Sequence, residues 1–271
     1  MSANTKGKVY LVGAGPGDPE LLTFKALRIL RAADVVLHDE LVGREILSLA
    51  SASALVRSVG KRCGRQTITQ EGINSLLVTY AAAGLQVVRL KGGDPLIFGR
   101  GGEEIEALRK AGVEVEIVPG VTAALGAGAG AQIPLTHRNI SSALVFITGH
   151  SADTHDAKQW RALTASGATL VIYMPGSDYH DLAEKLMAAG VKAETPCALV
   201  SGATTSEERT LLTSVRELPM ASMSASAPTV LIVGEVVRLA KQQRRVGESL
   251  SELLIGQRVA ALENAASLAG D

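Results

Sequence analysis

An apolar run, Val9-Tyr10-Leu11-Val12, is followed at once by Gly13-Ala14-Gly15-Pro16-Gly17-Asp18-Pro19-Glu20, and this junction constrains the 271-residue chain most. It predicts a strand, a tight loop and the start of a helix. The loop is not a dinucleotide fingerprint. That fingerprint is G-x-G-x-x-G, and here the third glycine position holds Asp18. Pro16 removes a backbone N–H where a pyrophosphate needs donors, and an acidic side chain at the helix mouth repels phosphate. The loop therefore suits a ligand without phosphate, including a cationic one, with a plain strand-to-helix turn as the alternative. Asp18 is expected as a helix N-cap and Pro19 as the first helical residue.

The rest of the first half alternates in the same way. Strands are expected at Lys8–Val12, Asp34–Leu37, Leu55–Val59, Gln86–Lys91 and Glu114–Val118. Helices are expected at Glu20–Arg31, Arg44–Ala50, Gln70–Ala83 and Gly102–Lys110, with Gly84 and Gly112 as stops. Such alternation predicts a mostly parallel sheet covered on both faces. Pro119-Gly120 then breaks the pattern and an Ala/Gly-rich helix, Val121–Ala131, follows. Apolar runs at Ala143–Thr148, Thr169–Tyr173, Pro196–Val200 and Thr229–Val233, a helix near Asp181–Ala189 and a hairpin near Val200–Leu212 predict a mixed second sheet. The expected division is an N-terminal α/β domain over 7–119, a C-terminal α/β domain over 120–243 and a helical extension over 244–271.

Ligands bind open α/β sheets at the carboxyl ends of the strands. Five polar or glycine-rich clusters fall there: Gly13–Asp18, His38-Asp39, Gly60-Lys61-Arg62, Gly92-Gly93-Asp94-Pro95 and Pro119-Gly120-Val121-Thr122. Lys91–Glu104 carries five glycines in fourteen residues. One edge of the sheet is thus expected to be the site.

Lys+Arg and Asp+Glu both number 27, so the formal net charge is zero, which argues against a general nucleic-acid or membrane-surface binder. An anionic ligand must then meet a local basic cluster. Arg57, Lys61, Arg62 and Arg65 form the densest one, a solvated face being the alternative; Thr136-His137-Arg138 adds donors. Two distant cysteines, Cys63 and Cys197, argue against a zinc site and a disulfide framework. The run His150, Asp153, His155 and Asp156 matches no metal-ligand spacing and reads as a polar loop, so no metal is expected. Val121–Leu135 is too short and too interrupted to span a bilayer, and the N-terminus lacks an apolar signal core. The expectation is a soluble, cytoplasmic protein.

Seven segments carry a resemblance. They are Gly13-Ala14-Gly15-Pro16-Gly17-Asp18-Pro19, His38-Asp39-Glu40-Leu41-Val42, Val59-Gly60-Lys61-Arg62, Val88-Arg89-Leu90-Lys91-Gly92-Gly93-Asp94-Pro95, Phe98-Gly99-Arg100-Gly101-Gly102-Glu103-Glu104, Val118-Pro119-Gly120-Val121-Thr122-Ala123 and Ile133-Pro134-Leu135-Thr136-His137-Arg138. In order, over about residues 8 to 240, they resemble the uroporphyrinogen-III C-methyltransferases of the tetrapyrrole methylase family. The G-D-P loops alone point to the wider family, which includes other precorrin methylases and diphthine synthase.

The resemblance implies the two-domain class III methyltransferase fold, S-adenosylmethionine (SAM) bound between the domains, and a homodimer. It implies methylation of uroporphyrinogen III at C2 and C7, through precorrin-1 to precorrin-2, for sirohaem, cobalamin or haem d1, with S-adenosylhomocysteine released. It puts cofactor contacts on Pro16, Gly92, Gly93, Asp94, Ile97, Thr122, Ala123, Met174 and Ala203. Asp39 is implied as proton acceptor and Lys61 as proton donor. The substrate's eight carboxylates call for cations, for which Arg62, Arg65, Arg100 and Arg138 are the candidates. The chemistry agrees, since SAM is a phosphate-free sulfonium and an electron-rich pyrrole carbon needs no Ser or Cys nucleophile. Gln132 departs from the pattern, many relatives having glycine there. No dehydrogenase–chelatase domain precedes residue 8, so the product is expected to stop at precorrin-2 or its overmethylated form. Another precorrin methylase, and a non-catalytic SAM-binding module, are the competing readings.

Overall fold

The computed structural model describes residues 7–60, 68–149, 157–223 and 227–240. Five strands form the first sheet: β1 (Lys8–Gly13), β2 (Val35–His38), β3 (Leu55–Ser58), β4 (Val87–Lys91) and β5 (Glu114–Val118). Their order is β3-β2-β4-β1-β5 and every pairing is parallel. Parallel neighbours need crossovers, and helices supply them on both faces. α1 (Phe24–Arg31) and α2 (Arg44–Leu47) bury Ala26, Leu30 and Ile46 on the face carrying Val12, Val36, Val88 and Leu90. α3 (Gln70–Ala82) and α4 (Gly101–Lys110) bury Ile73, Leu77 and Leu108 on the face carrying Val9, Leu11, Leu37 and Val87. Each fully buried leucine contributes about 1.5–3 kcal/mol.

The expected helix over Glu20–Arg31 is two pieces. Asp18 does cap a start, its Oδ1 accepting the Glu20 N–H at 2.8 Å with Pro19 first in the turn. That turn is a single 3-10 turn over Pro19–Leu21. Leu22 is extended, and Thr23 starts α1 afresh by accepting the Ala26 N–H at 3.1 Å. Two capping side chains five residues apart each claim a helix start, and the second begins the α-helix. Thr69 caps α3 through the Gly72 N–H. Gly84 and Gly112 follow α3 and α4 with left-handed backbone, as expected.

α5 (Ala123–Gly130) leads to a second, mixed sheet of order β6-β7-β10-β8-β9. β6 (Leu144–Thr148) runs parallel to β7 (Thr169–Tyr173), while β8 (Pro196–Ser201), β9 (Arg209–Ser214) and β10 (Thr229–Val233) pair antiparallel, with β8 and β9 forming the hairpin. Alternation sorts β7: Leu170 and Ile172 pack with Trp160 of α6 (Ala157–Ala165) and Leu182 and Leu186 of α7 (His180–Ala188). Val171 and Tyr173 face the other way, with Ala124 and Ala127 of α5. Both sheets lie within one compact unit. No helix of the described residues is long and apolar enough to cross a membrane. The 150–156 polar run, Cys63 and the 244–271 extension lie outside the described residues.

Candidate active site

Because the first sheet is all parallel, the strand-end clusters among the described residues open on one edge. Three of those loops touch. Gly15 and Gly93 exchange two backbone hydrogen bonds, at 2.7 and 3.2 Å. A Cβ on Gly13 would lie 2.6 Å from the Gly120 nitrogen and the Gly93 oxygen, and one on Gly120 would lie 2.3 Å from that oxygen. These glycines allow loop to lie on loop, so the space beside Gly13 is filled by backbone rather than left for a ligand. Asp94 ties the same loops together: Oδ1 accepts from Leu96 N at 2.8 Å and Oδ2 from Gly120 N at 3.1 Å.

The loops open on a cleft of about 480 Å³ that reaches the second sheet. Pro16, Gly92, Gly93, Asp94, Ile97, Thr122, Ala123 and Met174 all line it, as does Asp39. Pro16 is held by α5, where a Cβ on Gly126 would meet the proline ring at 2.8 Å. Ala203 does not line the cleft; it is buried in the apolar cluster that includes Ala124 and Ala127 of α5. The walls are apolar where they are exposed: Leu41, Phe98 and Met174 are 63%, 42% and 46% accessible. Phe98 and Met174 have φ of 51° and 49°, a left-handed backbone that costs a bulky residue strain, and such strain gathers at functional sites.

Tyr173 ends β7 and reaches the cleft. Its hydroxyl accepts the Ala124 N–H at 3.1 Å and lies 2.6 Å from Thr122 Oγ1, and its ring lies 5.0 Å from Phe98. Burial pushes the phenol above its ordinary pKa, against the pull of those two hydrogen bonds.

A second cavity of about 230 Å³ shares Asp39, Lys91, Phe98 and Gly99 with the first and adds Gln70, Arg89 and Arg100. Its floor is a set of buried charges. Arg89 and Lys91 are two apart on the central strand β4, so both point toward the face covered by α3 and α4. Glu104, fully buried in the first turn of α4, meets both. Arg89 Nε donates to Glu104 Oε1 at 2.9 Å, and Lys91 Nζ lies 3.1 and 3.2 Å from the two carboxylate oxygens. Arg89 also donates from Nη2 to Asp39 Oδ1. Two cations and two carboxylates thus balance, as buried charges must. Burial, then the Arg89 charge, pulls the Lys91 ammonium below its ordinary pKa, while Glu104 and Asp39 push it up.

Of the expected cations, Arg100 lines the second cavity but is paired with Glu103 through two 2.7 Å hydrogen bonds. Arg138 is exposed on the turn between His137 and Ser141, away from both cavities. Arg57 lies on the exposed edge strand β3 and lines neither. Lys61, Arg62 and Arg65 lie outside the described residues. Sequence reading missed Glu104, Arg89 and Tyr173 as site residues. The signal for Arg89 was present: two cations inside a central apolar strand require a buried counter-charge, although which residue supplies it is not marked.

The model of the tetrapyrrole (corrin/porphyrin) methylases matches residues 8–219. Siroheme synthase 2 of Aeromonas hydrophila is 46% identical over 248 residues, 92% of this chain and 53% of that protein. Siroheme synthase of Pseudomonas paraeruginosa is 50% identical over 235 residues, 86% of this chain and 50% of that protein. The chain thus spans about half the length of the curated relatives it matches. Among solved structures, the uroporphyrin-III C-methyl transferase of Thermus thermophilus complexed with S-adenyl homocysteine is 41% identical, with a TM-score of 0.74 over 86% of this chain and 100% of that one. A cobalt precorrin-4 methyltransferase is 26% identical, with a TM-score of 0.73 over 85% and 95%.

Proposed function

The chain belongs to the tetrapyrrole (corrin/porphyrin) methylases, and from that premise we propose that it methylates uroporphyrinogen III at C2 and C7, using SAM, to give precorrin-2. The observation that carries this reading is the junction of two cavities at Asp39. One is a largely apolar cleft of about 480 Å³, a size suited to a small cofactor, and the other is floored by the charge-balanced set of Asp39, Arg89, Lys91 and Glu104. The Thermus thermophilus relative, solved with S-adenyl homocysteine, supports SAM as the donor. The greater identity to that protein than to the cobalt precorrin-4 enzyme favours uroporphyrinogen III over a later precorrin.

SAM, when bound, supplies an electrophilic methyl group on a sulfonium. Pro16, the Gly92–Asp94 loop, Ile97, Thr122, Ala123 and Met174 would hold it, a set with one carboxylate and no cationic side chain, which fits a cation. Leu41 and Phe98 offer an exposed apolar wall for the pyrrole rings of the macrocycle. Holding the two partners in line supplies much of the rate, since the pyrrole carbon is itself the nucleophile. Asp39 would take the proton that the methylated ring sheds, and Lys61 would return one. Arg62, Arg65 and Arg100 remain the candidates for substrate carboxylates, with Arg100 needing to exchange its Glu103 partner, whereas Arg138 lines neither cavity. Residues 7–119 and 120–243 are read as two α/β domains, and the working form as a cytoplasmic homodimer.

Anaerobic incubation with SAM and uroporphyrinogen III, read by product absorbance and mass, tests the reading. Gain of two methyl groups is expected. A SAM-binding chain that left the substrate unmethylated would sink it.

A further inference from the structure

Asp39 does not stand alone at the junction of the cavities. Its carboxylate is 30% exposed, whereas Arg89 behind it is 3% exposed and Glu104 behind that is fully buried. The Arg89 guanidinium is used from two ends: Nε on Glu104, Nη2 on Asp39. A third nitrogen, Nη1, donates to the Leu90 carbonyl at 3.2 Å. Glu104 is in turn fixed by Lys91 and by Gln70 Nε2 at 3.4 Å. A planar fork held at that many points has one orientation, and so has the carboxylate it grips.

We propose that Arg89 and Glu104 are positioning residues for Asp39: they hold its carboxylate in one orientation on the wall shared by the two cavities. The proposal rests on the methyltransferase reading above. In the step it serves, the methylated ring carbocation loses a proton. The methylated carbon already carries a carboxyalkyl group and no hydrogen, so the C–H bond broken is on the adjoining methylene bridge; its electron pair forms the carbon–carbon double bond that neutralises the cation, and the Asp39 carboxylate takes the proton. Arg89 and Glu104 touch neither reactant. They act through the geometry of Asp39, so their loss falls on kcat rather than on cofactor binding.

The experiment compares wild type, R89K, E104Q, D39N and R89K/D39N. Lysine keeps the charge of Arg89 but has no fork that reaches Glu104 and Asp39 together. Misplacing a reacting group by about 1 Å costs about 100-fold, so kcat of R89K and E104Q is expected to fall by about that factor, with substrate KM and S-adenosylhomocysteine Kd within about threefold. Because Arg89 acts through Asp39, adding R89K to D39N is expected to cost less than about twofold more. R89K with kcat near wild type overturns the inference alone. So does a loss that multiplies fully with D39N, or one matched by an equal loss of S-adenosylhomocysteine affinity, since either marks a merely structural role. A wild-type chain that binds SAM but never methylates uroporphyrinogen III overturns the underlying reading, and the inference with it.

Discussion

The hydroxyl of Tyr173 lies 2.6 Å from Oγ1 of Thr122, joining the end of β7 in the second sheet to the N-cap of α5. The Thr122 side chain makes no cap hydrogen bond to the helix. The phenol serves instead, accepting from Ala124 N. Y173F removes that acceptor and strands a buried N–H, which costs about 1–3 kcal/mol. Thr122 and Ala123 line the cleft, so S-adenosylhomocysteine affinity is expected to fall together with stability. Urea unfolding and calorimetric titration check both. An unchanged affinity in a destabilised variant would show that the cap does not shape the cleft.

Glycine-on-glycine contact at the strand ends makes a sharper demand. A methyl on Gly13 has backbone at 2.6 Å on two sides, and backbone does not swing aside as a side chain does. G13A is expected to lose about 2 kcal/mol or more, at the upper part of the range for overpacking. It would also push the Gly93 and Gly120 loops apart. A thermal melt of G13A measures the first effect, and cofactor titration the second. By contrast G43A, where the added methyl meets nothing within 4 Å, is the matched control.

The parallel sheet was legible because buried parallel strands read as short apolar runs, and because the glycine clusters at their ends repeat in register. The cleft lining was legible for the same reason: Pro16, Gly93, Asp94 and Thr122 follow β1, β4 and β5 directly. What escaped depends on packing between distant elements. Glu104 meets Arg89 and Lys91 only because α4 lies along β4, and nothing local marks it among the acidic residues of α4. Tyr173 joins the site across the gap between two sheets. The split of the Glu20–Arg31 helix escaped because periodicity continues through Thr23, where a capping side chain interrupts it.

Gln132 sits where α5 stops. Its N–H bonds to Ala129 O at 3.2 Å, and Ile133 N–H bonds back to Gly128 O at 2.8 Å, the pattern of a left-handed helix stop. Its φ is 54°. A non-glycine residue in that conformation costs about 1–2 kcal/mol, of which glycine gives back part through its freer unfolded chain. Q132G is therefore expected to gain about 0.5–1 kcal/mol, seen as a raised urea midpoint with an unchanged slope. A lowered midpoint would mean that the glutamine side chain makes a contact that outweighs the strain.

Glu116 on β5 takes ion pairs from Lys8 at 2.7 Å and Lys25 at 2.5 Å. These hydrogen bonds, Lys25 first, draw its carboxyl down to about 2 from 4.5. Between those values the unfolded chain binds the proton and the folded chain does not, so stability rises with pH there. The contribution is full above pH 4.5 and is lost as pH falls through about 2. E116Q lacks it at every pH. The wild-type advantage over E116Q is thus expected at neutral pH, narrowing below pH 4.5 and closing near pH 2. The partners are partly exposed, so salt screens the pairs and the advantage at neutral pH shrinks in high salt. Denaturant midpoints of the two proteins across acid pH, at low and high salt, measure the gap. A gap that stayed constant down to pH 2 would assign the loss in E116Q to packing and not to charge.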